Sequence, residues 1–263
     1  GCPHNCDFCT VTKFFGGSYR FAPVDDVIRN VKATGSKRIF FVDDNIIANR
    51  AYSTELFTKL IPLKIQWAGQ STIHLGRFPD LCRLMDKSGC TYLVLGVESV
   101  NQASLAGVGK PQNKVEEYYK LLNSIKDNGV SALVQMIVGF DSDGENIFRD
   151  TSRFLSEIKP YLAAVNVPIP YPGTTFTNRL EADNRIIHKD WSKYRIGNVL
   201  YTPKLMTKEE LETKAFETFK NFYNIDSIIT RSLSQPKKNI FRSFFVNLVA
   251  RKFVRRHEWI NAG

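Results

Sequence analysis

Short runs of β-branched and aromatic residues alternate with amphipathic stretches of helical period through the first two thirds of the chain, and this alternation restricts the fold more than any other feature. It argues for βα units and a parallel sheet. The strand candidates are Arg38 to Val42 (RIFFV), Ile65 to Gly69 (IQWAG), Tyr92 to Val97 (YLVLGV), Ser131 to Val138 (SALVQMIV) and Ala163 to Pro168 (AAVNVP). Helical patterns lie at Val24 to Thr34, Arg50 to Leu60, Pro79 to Ser88, Lys114 to Asn128 and Asn146 to Lys159. Gly35, Gly89 and Gly129 stand just past three of these helices, where a residue able to take φ > 0 is favoured.

Polar residues gather where the strand runs stop: Asp43, Asp44 and Asn45 after the first, Gln70 and Ser71 after the second, Glu98 and Ser99 after the third, Asp141 after the fourth. In barrel-like α/β folds the C-terminal strand ends form the active face, because the loops there converge on the mouth. Helix capping is the competing account of each residue taken singly, since Asp, Asn and Ser are favoured N-caps, and Asp44 and Asn45 fit either role.

Pro168, Pro170, Pro172 and Gly173 mark a stiff loop that continues neither sheet nor helix. We divide the chain there, into a barrel portion of residues 1–172 and a mostly helical region of residues 173–263. Thr207 and Glu210 spell a capping box that opens a helix running to about Asn224. The stretch Asn239 to Trp259 sets Phe241, Phe244, Phe245, Leu248 and Phe253 against Arg242, Arg251, Lys252, Arg255 and Arg256. It reads as a helix packed on the barrel with a solvated basic face, with contact to an anionic membrane surface or a nucleic acid as the alternative. Of the formal charge of +10, the segment from Ile225 to Gly263 carries +6, eight Lys or Arg against two acids.

A hydrophobic content of 43% over 263 residues is that of a folded globular chain. No apolar run approaches the ~20 residues needed to span a bilayer, and the N-terminus has no signal-peptide pattern, so the expected location is cytoplasmic, with peripheral membrane contact through the tail as an option. Three of the five cysteines, Cys2, Cys6 and Cys9, fall within eight positions, a poor layout for a disulfide scaffold and a usual one for metal. Cys82 and Cys90, in or just after a helical segment without ligand-type neighbours, read as buried small hydrophobes. Thiolates spaced C-x3-C-x2-C can hold three corners of an iron–sulfur cubane and leave the fourth iron open. A structural zinc site would need a fourth Cys or His, and His4 lies where it would strain the loop.

The segment GCPHNCDFCTV resembles the signature of the radical S-adenosylmethionine (SAM) superfamily, C-x3-C-x-aromatic-C, with Phe8 at the aromatic position. The resemblance implies an α/β fold, a partial TIM-type (β/α)6 barrel that lacks its first strand in this chain, with a mainly helical C-terminal extension. It implies a four-iron, four-sulfur (4Fe–4S) cluster on Cys2, Cys6 and Cys9 that cleaves SAM to methionine and a 5′-deoxyadenosyl radical, with an electron donor of flavodoxin or ferredoxin type. By the same resemblance Phe8 lies against the adenine, and Asp43 and Asp44 stand where relatives place a Gly-Gly-Glu segment that binds the methionine amino group. Glu98 and Ser99 take the ribose position. Ile137, Val138 and Gly139 look like the backbone segment that contacts adenine, although Gln135 replaces its leading glycine; plain strand core is the competing reading of Ile137 and Val138. No residue is singled out as hydrogen donor or acceptor.

Further segments, CDFCTVTKFFGGSYRFAPVDDVI, FFVDDNIIANR, LGVESVN and PIPYPGT, look like the radical domain of cobalamin-binding radical enzymes, including the hopanoid methylase-like group. That resemblance implies a longer natural protein, whose upstream part supplies the first barrel strand and a cobalamin-binding domain. It makes methyl transfer to an organic, small-molecule or lipid, substrate the leading expectation. Methylthiolation of RNA or protein is a second one, motivated by the +10 charge; the second cluster and RNA-binding module usual in such relatives are missing from the sequence, which argues against a nucleic-acid partner. A non-catalytic iron–sulfur or zinc module, or a truncated remnant, is the third.

Overall fold

The computed structural model describes residues 1–255 of the 263. Its strands are β1 (Arg38–Phe40), β2 (Gln66–Thr72), β3 (Cys90–Glu98), β4 (Ser131–Ile137) and β5 (Leu162–Asn166). Its helices are α1 (Thr10–Phe15), α2 (Val24–Ala33), α3 (Arg50–Leu60), α4 (Pro79–Lys87), α5 (Gln102–Gly107), α6 (Tyr118–Asp127), α7 (Asn146–Ile158), α8 (Thr175–Ala182), α9 (Lys208–Phe222), α10 (Ile225–Leu233) and α11 (Ile240–Arg255). The five strands form one parallel sheet in sequential order. It is a half-barrel, as the βα alternation requires.

Successive side chains along each strand point to opposite faces. One set, Trp67, Leu93, Leu95, Val134, Met136 and Val165, is buried under the helices, where Trp67 stacks on Phe57 of α3 at 5.1 Å. The other set, Thr72, Gly96, Gln135 and Ala164 in one register row with Ile137 and Asn166 beyond, is only half-buried and lines the concave face. Polar side chains on that inner face therefore look into the half-barrel rather than into the core.

Differences from the sequence reading lie at element edges. β1 is only three residues because the chain then leaves regular pairing, though Phe41 N–H still donates to Ala68 O and Ile46 N–H to Gln70 O. β2 runs on to Thr72, so Gln70 and Ser71 belong to the strand and do not follow it. Cys90 opens β3 instead of trailing α4, with Gly89 at φ 95° making the turn. Cys82 and Cys90 are buried, as small hydrophobes should be. Helices α1, α5 and α8, six to eight residues long, are too short to show a periodic face and were invisible in the sequence.

The Thr207–Glu210 capping box forms, with Thr207 N–H donating to Glu210 Oε2 and Glu210 N–H to Thr207 Oγ1. Helix α9 then packs on α7 and β5. Helices α10 and α11 close the N-terminal end of the sheet. Asn239 Nδ2 donates to Ser131 Oγ (2.9 Å), Asn247 Nδ2 to Tyr161 O (2.9 Å), and the buried Arg231 guanidinium to Pro160 O and Tyr161 O. Arg231 also donates to Ser227 Oγ, Phe222 O and Asn247 Oδ1 and lies 3.6 Å from the Phe222 ring centroid. No carboxylate pairs with it among the described residues; its charge is held by neutral acceptors and an aromatic face. Of the expected Asn239 to Trp259 helix, the part beyond Arg255 lies outside the described residues.

Candidate active site at the cysteine loop

Cys2, Cys6 and Cys9 are free and half-buried, and they share one loop that ends in α1 with Cys9 as its N-cap. Residues distant in sequence hold that loop. Asp7 N–H donates to Val108 O (2.9 Å), Phe176 N–H to Asp7 O (3.0 Å), Arg179 pairs with Asp7 (3.3 Å), and Gln112 Nε2 meets His4 Nδ1 (3.3 Å). Within the loop Cys9 N–H donates to Cys6 O and Thr12 Oγ1 to His4 O. Cys2 and Cys9 lie close enough to Cys6 to raise its pKa. Burial pushes Cys6 up to about 11, with Lys110 pulling the other way and Glu98, Cys9 and Cys2 adding to the rise. Burial also raises Cys9, and Asp44 at the end of the β1 segment adds to it. Metal binding would deprotonate these thiols with release of protons, the metal–thiolate bonds offsetting that cost.

At the end of β3 the register shifts between Gly96 and Glu98, and Glu98 sits at φ 72°, a backbone state that costs a side-chain-bearing residue about 1–2 kcal/mol. The irregularity is held by three side chains that follow α5. Lys110 Nζ donates to Glu98 Oε1 (2.5 Å) and Gly96 O (3.1 Å), Asn113 Nδ2 to Gly96 O and Val97 O, and the Tyr118 hydroxyl to Val97 O and Ser99 O. Both ends of the Glu98–Lys110 pair are buried. Burial works against the Lys110 ammonium, but Glu98 and Cys6 outweigh it and its pKa rises. A Cβ on Gly96 would lie 2.3 Å from Glu98 Oε1, so only glycine leaves room for the pair. Ser99 is fully buried, and its hydroxyl accepts from Asn101 N–H.

After β4, Gly139 at φ 104° is gripped on both sides: its N–H donates to Asp143 Oδ2 (3.0 Å), and its carbonyl accepts from the Tyr201 hydroxyl (2.6 Å). Asp143 also accepts from Phe140 N–H, Ser104 Oγ and Asn101 Nδ2; burial, the largest influence, still raises its pKa. Phe8 stands 5.7 Å from Phe140 and lines, with Ile137, Asn166, Pro168 and Tyr171, a cavity of about 180 Å³. The structure thus brings Phe8 and Ile137 to one cavity wall. Gly139, expected to contact adenine, is not in its lining, and its own polar groups are engaged. Asp43 and Asp44 do not cap α3, whose N-cap is Asn49. Asn45 is buried, and its Oδ1 has no hydrogen-bond partner among the described residues.

Sequence reasoning missed Lys110, Asn113, Tyr118 and Asp143. Their signal is tertiary, since each acts on a strand end some twelve or more positions away or on a loop whose shape the sequence does not display. Among the described residues no three Cys, His, Asp or Glu side chains converge as a single metal ion requires. Three thiols in one held loop with no fourth cysteine beside them fit a multi-iron cluster with an open corner better than tetrahedral zinc.

A parallel half-barrel with a three-thiol loop at its mouth and polar groups on the strand ends defines a cluster-dependent α/β enzyme class. Residues 1–155 match the Radical SAM superfamily, and the chain belongs to it. Over 262 residues it is 27% identical to the bacteriochlorophyllide d C-12(1)-methyltransferase of Chlorobaculum tepidum, covering 97% of this chain and 56% of that protein. It is 24% identical to the hopanoid C-2 methylase of Rhodopseudomonas palustris, covering 72% of this chain and 38% of that one. Its fold is similar to that of TsrM, a radical SAM methyltransferase from Kitasatospora setae solved with cobalamin and an iron–sulfur cluster (TM-score 0.63, 14% identity, 70% of this chain and 35% of TsrM). It is also similar to OxsB, a cobalamin-dependent SAM radical enzyme (TM-score 0.60, 14% identity, 97% of this chain and 45% of OxsB). The chain spans about half the length of the curated relatives it matches.

Proposed function

We propose that this chain is the cluster-bearing core of a cobalamin-dependent radical SAM methyltransferase acting on an organic small-molecule or lipid substrate, with residues 1–172 as its barrel portion and cobalamin held by a part of the protein outside this chain. The observation that carries the reading is the held loop of three free thiols at the half-barrel mouth. Cys2, Cys6 and Cys9 would hold a 4Fe–4S cluster, and that cluster, reduced by a flavodoxin- or ferredoxin-type donor, supplies the electron for splitting a carbon–sulfur bond of SAM.

The residues around it have separate tasks. Phe8 and Ile137 offer apolar lining to a cavity suited to a planar base. Asp43 and Asp44, which follow the β1 segment, would be the acceptors for a bound amino group. Glu98, steadied by Lys110 and with Ser99 packed behind it, presents its carboxylate to the ribose hydroxyls. Gly139 and Asp143 fix the loop that sets Phe140 against Phe8. Of the +10 charge behind the RNA-modifying reading, +6 falls between Lys237 and Arg255, six Lys or Arg and no acid, at the strand ends opposite this mouth.

Anaerobic reconstitution tests the proposal. Iron and sulfide of about four each per chain are expected, with 5′-deoxyadenosine formed on reduction with SAM. Cys6→Ala loses the iron, and Cys82→Ala keeps it. Zinc alone, or a cluster indifferent to SAM, refutes it.

A further inference from the structure

Helix α11 is built with its apolar side outward. The side chains turned toward the protein are Ser243, Asn247 and Val254, all buried, with Ser232 donating to the Ser243 hydroxyl and Asn247 bonded to Arg231 and Tyr161. Those turned to solvent include Phe241 (90% exposed), Phe245 (68%), Phe244, Val249 and Phe253. A helix stabilised only by packing on the barrel shows the reverse arrangement. The expected packing on the barrel with a solvated basic face is present, and the solvated face is aromatic as well as basic.

Charge is distributed with the same bias. From Lys237 to Arg255 there are six Lys or Arg and no acid. Lys238 pairs with Asp86 and Arg251 donates to Tyr223 O, whereas Lys237, Arg242, Lys252 and Arg255 have no carboxylate partner among the described residues. Leu233, 67% exposed, ends α10 just before this segment. Beside α11 opens a cavity of about 580 Å³ lined by Phe40, Tyr92, Leu162 and Phe245, with Arg38 and Arg242 and no acidic side chain.

We propose that α11 and this cavity form a docking surface for an anionic lipid bilayer, with the aromatic rings in the interfacial layer and the four unpaired cations on the head groups. Three partners compete for a basic, apolar face, and the observations separate them. A second copy of the chain would set this cationic face against itself in a two-fold contact, where like charges repel. Single-stranded nucleic acid uses aromatic rings for stacking but has no use for exposed aliphatic side chains or an apolar cavity. A bilayer takes rings, Leu233, Val249 and cations together. The inference rests on none of the cluster chemistry, and it places the membrane at the end of the sheet opposite the cysteine loop.

Sedimentation of the cluster-free chain with vesicles tests it. With equal parts of phosphatidylglycerol and phosphatidylcholine the chain pellets, with phosphatidylcholine alone it stays in solution, and raising salt from about 0.1 M to about 0.5 M releases most of it. Arg242→Glu and Lys252→Glu each weaken partition at least about fivefold, the share of one basic residue at an anionic surface. The double variant Phe241→Ser with Phe245→Ser weakens it more than tenfold while circular dichroism and the melting midpoint stay at wild-type values, both side chains being exposed. Failure to pellet with the anionic vesicles overturns the proposal, as does equal pelleting with both lipids, tighter binding to a single-stranded RNA than to the vesicles, or a dimer in sedimentation velocity that Phe241→Ser dissolves.

Discussion

Lys110→Met should destabilise the cluster-free chain by about 4 kcal/mol at neutral pH, and by much less in mild acid. Two charges 2.5 Å apart attract by about 7 kcal/mol at an effective dielectric of about 20, part of which offsets their desolvation; breaking buried pairs costs about 3–5 kcal/mol in practice. The methionine leaves the Glu98 carboxylate buried, and Gly96 O loses one of its two side-chain donors, keeping Asn113. A stranded carboxylate can escape by taking up a proton. From the free-glutamate value of about 4.3, that uptake costs about 4 kcal/mol at pH 7 and about 1 kcal/mol at pH 5, which caps the loss. In the wild-type chain the raised Lys110 pKa works the other way: its contribution is complete below the ordinary lysine value of 10.5 and is lost only as pH rises through the higher folded value. Urea unfolding at pH 5, 7 and 8 measures this directly. The double variant Lys110→Met with Glu98→Gln should recover at least half of the loss at pH 7 and show little pH dependence. A single variant within about 1 kcal/mol of wild type at pH 7, or a double variant no better than the single, would refute the role given to the pair.

Arg231→Met should cost about 3 kcal/mol or more, because carbonyls of Pro160, Tyr161 and Phe222 lose a shared charged donor; faster hydrogen exchange in α10 and α11 than in β3 would locate the damage. Gly139→Ala should cost about 1–3 kcal/mol in urea unfolding, since φ is 104° and the new Cβ would lie 2.5 Å from Leu211 Cδ2; wild-type stability would mean the Asp143 and Tyr201 grip does not define that loop. Burial lowers the pKa of His74 and of His4 below the ordinary 6.5, so the stability they lend is present above that value and is lost as pH falls through the folded values, at up to about 1.4 kcal/mol per pH unit for each group. His74→Gln should flatten the acid limb of the urea midpoint between pH 6.5 and 5, and an unchanged limb would assign it elsewhere.

Local chemistry determined much of this protein. The βα alternation dictated a parallel sheet, because each strand run is followed by a helical stretch that must cross over, and all five strand candidates are strands. Cysteine spacing identified the loop, and Thr207 with Glu210 fixed a helix start, because both signals are complete within a few residues. Ends of elements were less legible. Gln70 lies inside a strand, and β1 stops early, because pairing with a neighbour decides where a ladder ends.

Only the tertiary structure decided how the candidate site is held and which way the last helix faces. Glu98 was visible as a strand-end carboxylate, but Lys110, which neutralises it, lies beyond α5 and reaches it through folding alone. Cys6 sits in a loop fastened by Val108, Gln112 and Phe176, residues with no sequence tie to the cysteines. In α11 the pattern shows that aromatic and basic residues share a helix; that Ser243 and Asn247 take the inner side follows from Arg231 and Tyr161, whose buried polar groups needed partners more than the core needed phenylalanines.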